Sequence, residues 1–165
     1  MFTKALKQFK QVEPQLLRGQ YAGLYISQRP VKYTAEGSVY GVPTVDAYNG
    51  KYIENGIICG LDNTGKIVSY TEGTMFIHYT EELTTVVNAN NTFAVEGKGD
   101  ETYIRLIQLF PGDEFVTDNF SGTGNYGVVT NGVITLSATA TGAKFYCEDT
   151  TLADGTAAKH VVVLG

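Results

Sequence analysis

The chain has 165 residues, 43% of them hydrophobic and 18% charged. That is one ordinary domain or two very small ones, rich enough in apolar residues to exclude a disordered class. Net charge is −5, divided as +3 over residues 1–20 and −8 over the rest; an acidic body does not neutralise phosphates, which argues against nucleic acid as a partner. No apolar run approaches the ~18 residues of a membrane-spanning helix, which argues against a membrane partner as well.

The chain divides into three textures. In the leader, residues 1–18, Phe2, Ala5, Leu6, Phe9 and Val12 fall within an arc of about 120° at helical spacing, with Lys4, Lys7 and Lys10 opposite. This predicts an amphipathic helix of about three turns, ended by Pro14. A helix so short is marginal alone, so its apolar stripe needs a surface, either this chain's own body or a neighbouring subunit. The leader is basic without an unbroken apolar stretch and does not read as a secretory signal.

Residues 19–56 hold six of the eleven tyrosines, Tyr21, Tyr25, Tyr33, Tyr40, Tyr48 and Tyr52. Pro30 and Pro43 interrupt regular elements, and Asn49-Gly50 and Asn55-Gly56 signal turns. One strand is predicted, over Gln20–Ser27. Tyrosine rings suit an interface, and they suit equally the ends of a β-barrel.

From residue 57 the pattern is β. Strands are predicted at Ile57–Leu61, Lys66–Tyr70, Thr74–Tyr79, Thr84–Asn88, Phe93–Glu96, Tyr103–Phe110, Phe115–Thr117, Gly127–Thr130, Val133–Ser137, Lys144–Glu148 and His160–Leu164. Glu101–Phe110 fits a helix as well; the Pro-Gly-Asp that follows favours a strand. Asn131-Gly132 is the clearest two-residue hairpin turn. The expected fold is all-β, an antiparallel sandwich or barrel with a short N-terminal amphipathic helix or arm. The leader, 1–18, precedes a β domain, 19–165, with a subdivision possible near Gly97–Asp100.

Chemistry-bearing residues are sparse. His78 and His160 each sit on a strand, without the spacing a zinc site requires. Cys59 and Cys147 lie in apolar strands and read as small buried hydrophobes; a disulfide between them would need Cα atoms within about 7 Å. The acidic groups Glu81-Glu82, Asp100-Glu101, Asp113-Glu114 with Asp118, and Glu148-Asp149 read as solvated loop charge, without EF-hand spacing. Gly122-Thr123-Gly124 lacks the helix and lysine of a phosphate loop. No catalytic constellation, metal set or cofactor motif emerges, and the expectation is a non-enzyme.

The succession Pro111-Gly112-Asp113-Glu114-Phe115-Val116-Thr117, Gly124-Asn125-Tyr126-Gly127-Val128-Val129, Asn131-Gly132-Val133-Ile134, Gly142-Ala143-Lys144-Phe145 and Leu152–Leu164 resembles the small β-barrels of tailed-bacteriophage head proteins, notably capsid decoration (cement) and minor capsid proteins. The resemblance covers about the last third of the chain. It implies a virion protein, made in the bacterial cytoplasm and carried on the capsid surface as a homo-oligomer, with a trimer favoured. Such a protein binds the major capsid protein and ties coat subunits together, without cofactor or catalytic residues. Partner contacts are then expected at Phe2, Lys4, Leu6, Lys7, Phe9 and Lys10, with Tyr33, Tyr40 and Tyr48 next. Two other readings stay open: a ligand- or carbohydrate-binding adhesion sandwich, suggested by tyrosine content, and a small cysteine hydrolase.

Overall fold

A computed structural model describes residues 9–18, 25–31, 42–47, 50–63, 67–80 and 102–165. Their fourteen elements are all strands: β1 (Val12–Leu16), β2 (Tyr25–Val31), β3 (Val45–Ala47), β4 (Gly50–Tyr52), β5 (Ile58–Leu61), β6 (Ile67–Ser69), β7 (Phe76–His78), β8 (Thr102–Gln108), β9 (Glu114–Thr117), β10 (Phe120–Gly122), β11 (Tyr126–Thr130), β12 (Val133–Ser137), β13 (Phe145–Thr151) and β14 (Ala157–Val163). The all-β expectation holds. The predicted strands at Thr84–Asn88 and Phe93–Glu96, and the turn at Gly97–Asp100, lie outside the described residues.

Two sheets form. One has seven strands in the order β1-β9-β14-β13-β11-β12-β10; the other is a closed barrel, β2-β6-β5-β7-β8. Strands β3 and β4 make a separate hairpin. Pairing is antiparallel except at two places, β10 beside β12 and the single pair Val31–Ile67 that closes the barrel. The architecture is therefore mixed rather than purely antiparallel.

Alternation sends successive side chains to opposite faces, and at Ile57–Cys59, Phe76–Ile77 and Leu106–Ile107 both faces are buried, which is why these stretches are continuously apolar. Cys59, Phe76 and Leu106 point into the barrel with Val42, Ile53, Ile57 and Ile67. Their neighbours Ile58, Ile77 and Ile107 point outward and meet the inner face of the seven-stranded sheet, where Phe115, Ile134, Leu136, Phe145, Cys147, Val161 and Val163 wait. Phe115 and Phe145 meet edge to face at 6.3 Å between centroids. The result is sandwich-like packing, with one layer itself a barrel.

Residues 9–16 depart from the helical expectation, and the rest of the expected helix, residues 1–8, lies outside the described residues. Val12–Leu16 is an edge strand paired to β9, with Val12 opposite Thr117 and Leu16 opposite Glu114. Pro14, read as a helix stop, instead sits in an edge strand, the one place in a sheet where a missing N–H is tolerated. Phe9, Val12 and Leu17 are all buried. The helical spacing of Phe9 and Val12 is thus coincidental: both reach the core from an extended chain.

The Asn131-Gly132 turn forms as expected, with φ of 49° and 78°, the double positive φ of a type I′ hairpin. Gly132 has a second reason to be glycine: a Cβ there would stand 2.8 Å from Ile57 Cγ2. Gly142 has nearly the same φ, 77°, and open space around it. Gly142→Ala should therefore cost about 1 kcal/mol from backbone strain alone. Gly132→Ala should cost about 1–3 kcal/mol more, from overpacking. Urea unfolding of both variants measures the difference; equal costs would deny the close approach.

Candidate functional site

Where barrel, sheet and leader meet, the chain buries a set of polar side chains. His78, Thr80, Asn55, Thr117 and Asn119 are all fully buried. His78 is placed there by its neighbour Ile77, which points the other way into the interlayer core. A buried polar group must be hydrogen-bonded or it destabilises the fold, and these are.

His78 Nδ1 lies 2.9 Å from the Glu54 carbonyl and Nε2 lies 2.7 Å from Thr80 Oγ1. A carbonyl only accepts, so Nδ1 carries the proton, and the Thr80 hydroxyl donates to Nε2. Thr80 Oγ1 accepts in turn from the Arg105 backbone N–H at 3.2 Å. Asn55 then joins this strand end to the leader. Its Oδ1 accepts from the Thr80 N–H at 2.8 Å, and its Nδ2 donates to the Thr80 carbonyl and to Gln11 Oε1, at 3.2 and 2.9 Å.

Gln11 is held from the other side as well. Its backbone N–H donates to Asp118 Oδ1 at 2.8 Å, and its carbonyl accepts from the Thr117 hydroxyl at 2.7 Å. Lys10 N–H donates to Glu54 Oε2 at 2.7 Å. Asn119 Nδ2 closes the far end, donating to the carbonyls of Gly56 and Gly132 at 2.6 and 3.0 Å. Only its Oδ1 lacks a partner among the described residues.

Asp113 corrects the solvated-charge expectation. It is fully buried and accepts from the Phe110 N–H at 2.9 Å and the Arg18 N–H at 3.3 Å, with Arg18 Nε 3.4 Å away. The Arg18 guanidinium also donates to the Pro111 carbonyl. The Pro-Gly-Asp motif is therefore a clasp on the end of the leader. Asp118 likewise serves the leader, through Gln11. Neither carboxylate is arranged for a cation, and no metal-holding group of His, Cys, Asp or Glu occurs among the described residues.

The cysteines are free and buried in different cores, Cys59 inside the barrel and Cys147 between the layers. Burial pushes the Cys59 thiol up to about 12. Cys147 is pushed up to about 11 by burial, against a smaller pull from Lys159. Both are protonated at neutral pH and poorly nucleophilic. Neither should react with a water-soluble disulfide reagent in the native protein, and both should react after unfolding; rapid native labelling would reopen the hydrolase reading.

Among the expected partner residues, Phe9 is buried against Tyr52, ring centroids 5.2 Å apart, and Lys10 is half-buried. Phe2, Lys4, Leu6, Lys7, Tyr33, Tyr40 and Tyr48 lie outside the described residues. An open cleft of about 300 Å³ runs beside β1, lined by Gln11, Val12, Glu13, Pro14, Tyr79, Leu152, Ala153 and Asp154. Glu13 Oε2 accepts from the Ala153 N–H at 2.7 Å and Asp154 Oδ1 from the Thr156 N–H at 2.9 Å. His160 pairs with Glu114 at 2.9 Å on the sheet surface.

Sequence reasoning placed His78 on a strand but missed Gln11, Thr80 and Asn119, whose role depends on contacts between distant segments. The visible signal was Asn55-Gly56, read as a turn only. Comparison of the chain with protein-family models, curated proteins and solved structures finds no match. Among the described residues no helix is long and apolar enough to cross a membrane.

Burial lowers the His78 pKa to about 4, against a smaller upward pull from its bond to the Glu54 carbonyl. Between pH 6.5 and 4 the unfolded chain therefore binds a proton that the folded chain refuses. Stability is fully present above pH 6.5 and falls as pH drops toward 4, by about 3 kcal/mol in total. Urea unfolding at pH 7.5 and 5.0 should show a loss of about 2 kcal/mol for the native sequence. His78→Gln should be less stable at pH 7.5 and largely free of that loss; an unchanged pH dependence would remove His78 as its source.

Proposed function

We propose that the chain is a structural protein of a tailed-bacteriophage head, carried on the outer capsid surface as a homo-oligomer and tying neighbouring coat subunits together. The observation that supports this reading best is the rooting of the leader. Residues 9–18 are fixed by Val12 and Leu17 in the interlayer core, by Phe9 against Tyr52, and by the bonds around Gln11 and Arg18. Upstream of that root stand Phe2, Lys4, Leu6 and Lys7. A basic, partly apolar segment springing from a rigid base suits reaching an adjacent subunit, because little of the body must be ordered on contact. The resemblance of the last third of the chain to decoration proteins points the same way. Function then comes from repeated modest contacts multiplied by symmetry.

A ligand-binding sandwich is favoured by one feature, the cleft beside β1 with Tyr79 in its wall. Its carboxylates Glu13 and Asp154 accept from backbone amides of the loop after β13, so they shape the wall rather than stand ready for a ligand.

Capsids purified from a lysate that contains the chain should carry it at symmetry-related positions on their outer surface. Removal of residues 1–8, which spares β1, should reduce occupancy about tenfold or more through lost multivalency. Raised salt should weaken attachment too. A chain recovered only free of particles, with discrete hits on a glycan array, would overturn the proposal in favour of the ligand-binding reading.

A further inference from the structure

The seven-stranded sheet has a second face, turned away from the barrel. Paired residues share a face, and the ladder gives one row across it: Leu16, Glu114, Val162, Tyr146, Tyr126 and Ser137. An antiparallel sheet with one side on a core is normally polar on the other. Here the exposed large apolar side chains are Leu16, Val128 and Leu164, at 43%, 42% and 47%. Alternation from Leu16, Tyr126 and Val162 puts all three on this outer face. Tyr126 and Tyr146 meet edge to face at 5.6 Å and are half-buried, as is Val162. Single exposed apolar residues are ordinary; these share one face with the half-buried Tyr126, Tyr146 and Val162, beside Val116 and Ala158, which Leu152 covers.

The charges on that face are Glu13, Glu114 and Glu148, with His160 against Glu114, and Lys144 at the rim. The balance is acidic. The segment of this chain that complements it is the leader: residues 1–8 carry Lys4 and Lys7, no acidic residue, and the apolar Phe2, Ala5 and Leu6. The place where that segment joins the body decides which molecule it serves. Phe9 packs on Tyr52, and Gln11 is bonded to Thr117, which lies on the barrel side of the sheet. Phe9 and Gln11 therefore lie on the side opposite the outer face, and a segment joined there would have to double back around β1 to meet its own face. Eight residues span about 12 Å as a helix or about 27 Å extended. The row from Leu16 to Tyr126 crosses four strand spacings, about 19 Å, so the segment fits a neighbour's row.

We propose that the outer face of the seven-stranded sheet, centred on Val162 and Tyr146, is the docking surface for residues 1–8 of a second copy of this chain. The contact joins two different surfaces, leader to face, so each copy can both give a leader and receive one, in a reciprocal pair or around a ring. It deepens the oligomeric part of the function proposed above and requires no capsid to be observed.

The test is the mass of the full chain in solution by sedimentation over a broad concentration range. The native sequence should associate. Val128→Lys and Leu164→Lys, at exposed positions that leave the core intact, should each weaken association about tenfold, as should Val162→Lys. The leader pair Lys4→Glu with Lys7→Glu should do the same. Adding Glu114→Lys and Glu148→Lys to that leader pair should restore association, since the charges are exchanged across the contact. A leader-charge variant mixed with Leu164→Lys should form a heterodimer, each supplying what the other lacks. A monomeric native chain, association untouched by the face variants, or failure of the charge exchange to restore it would overturn the proposal. So would a leader found docked on its own molecule's face. Capsid attachment, measured separately, stands or falls independently.

Discussion

Ile57–Cys59, Phe76–Ile77 and Leu106–Ile107 are buried on both faces of their strands, and the rest of the molecule is arranged around that constraint. One set of side chains fills the barrel, the alternate set fills the space under the seven-stranded sheet, and none of these positions can be polar without a partner. Where the same strands do carry polar residues, at His78 and just beyond at Thr80, the groups are fully enclosed, bonded to each other and to Glu54, Asn55 and Arg105 from other segments. A strand buried on both faces leaves its polar ends nowhere to go except into such a network. The network in turn is what fixes the leader, because Asn55 spends its second amide hydrogen on Gln11.

That chain of dependence explains which parts of the structure were legible. The continuous apolar runs around Ile58, Ile77 and Ile107 announced buried strands, and Asn131-Gly132 announced its hairpin through backbone conformations few other residues adopt. The ambiguous Glu101–Phe110 resolves to β8 because its apolar residues alternate between two cores, a pattern that a helix with one buried stripe would not need. Strands β3, β4 and β10 are three residues each, too short to show a period.

The leader was misread for a more instructive reason. Phe9 and Val12 are three apart, which is helical spacing, yet their burial comes from two different contacts: Phe9 beneath the β4 hairpin strand, Val12 in the interlayer core. A periodicity argument assumes one continuous surface, and here there are two. Asp113 was misread similarly. In sequence a Pro-Gly-Asp-Glu stretch looks like solvated turn, but the carboxylate closes the turn by accepting from Phe110 and turns inward to hold Arg18, ninety-five positions away. Long-range polar contacts of this kind leave no local trace.

The same reasoning separates a structural role from a binding pocket. A pocket concentrates uncommitted polar groups, whereas the polar groups of this molecule converge on one another: both nitrogens of His78, both ends of Asn55 and both oxygens of Asp113 are occupied within the chain. Among the described residues, Leu16, Val128, Leu164 and the Tyr126–Tyr146 pair lie on one face of the surface. Those side chains supply contact area at small entropic cost. The described body thus commits its buried polar groups to its own fold and leaves an apolar set on one sheet face, the surface that the proposed contact between subunits uses.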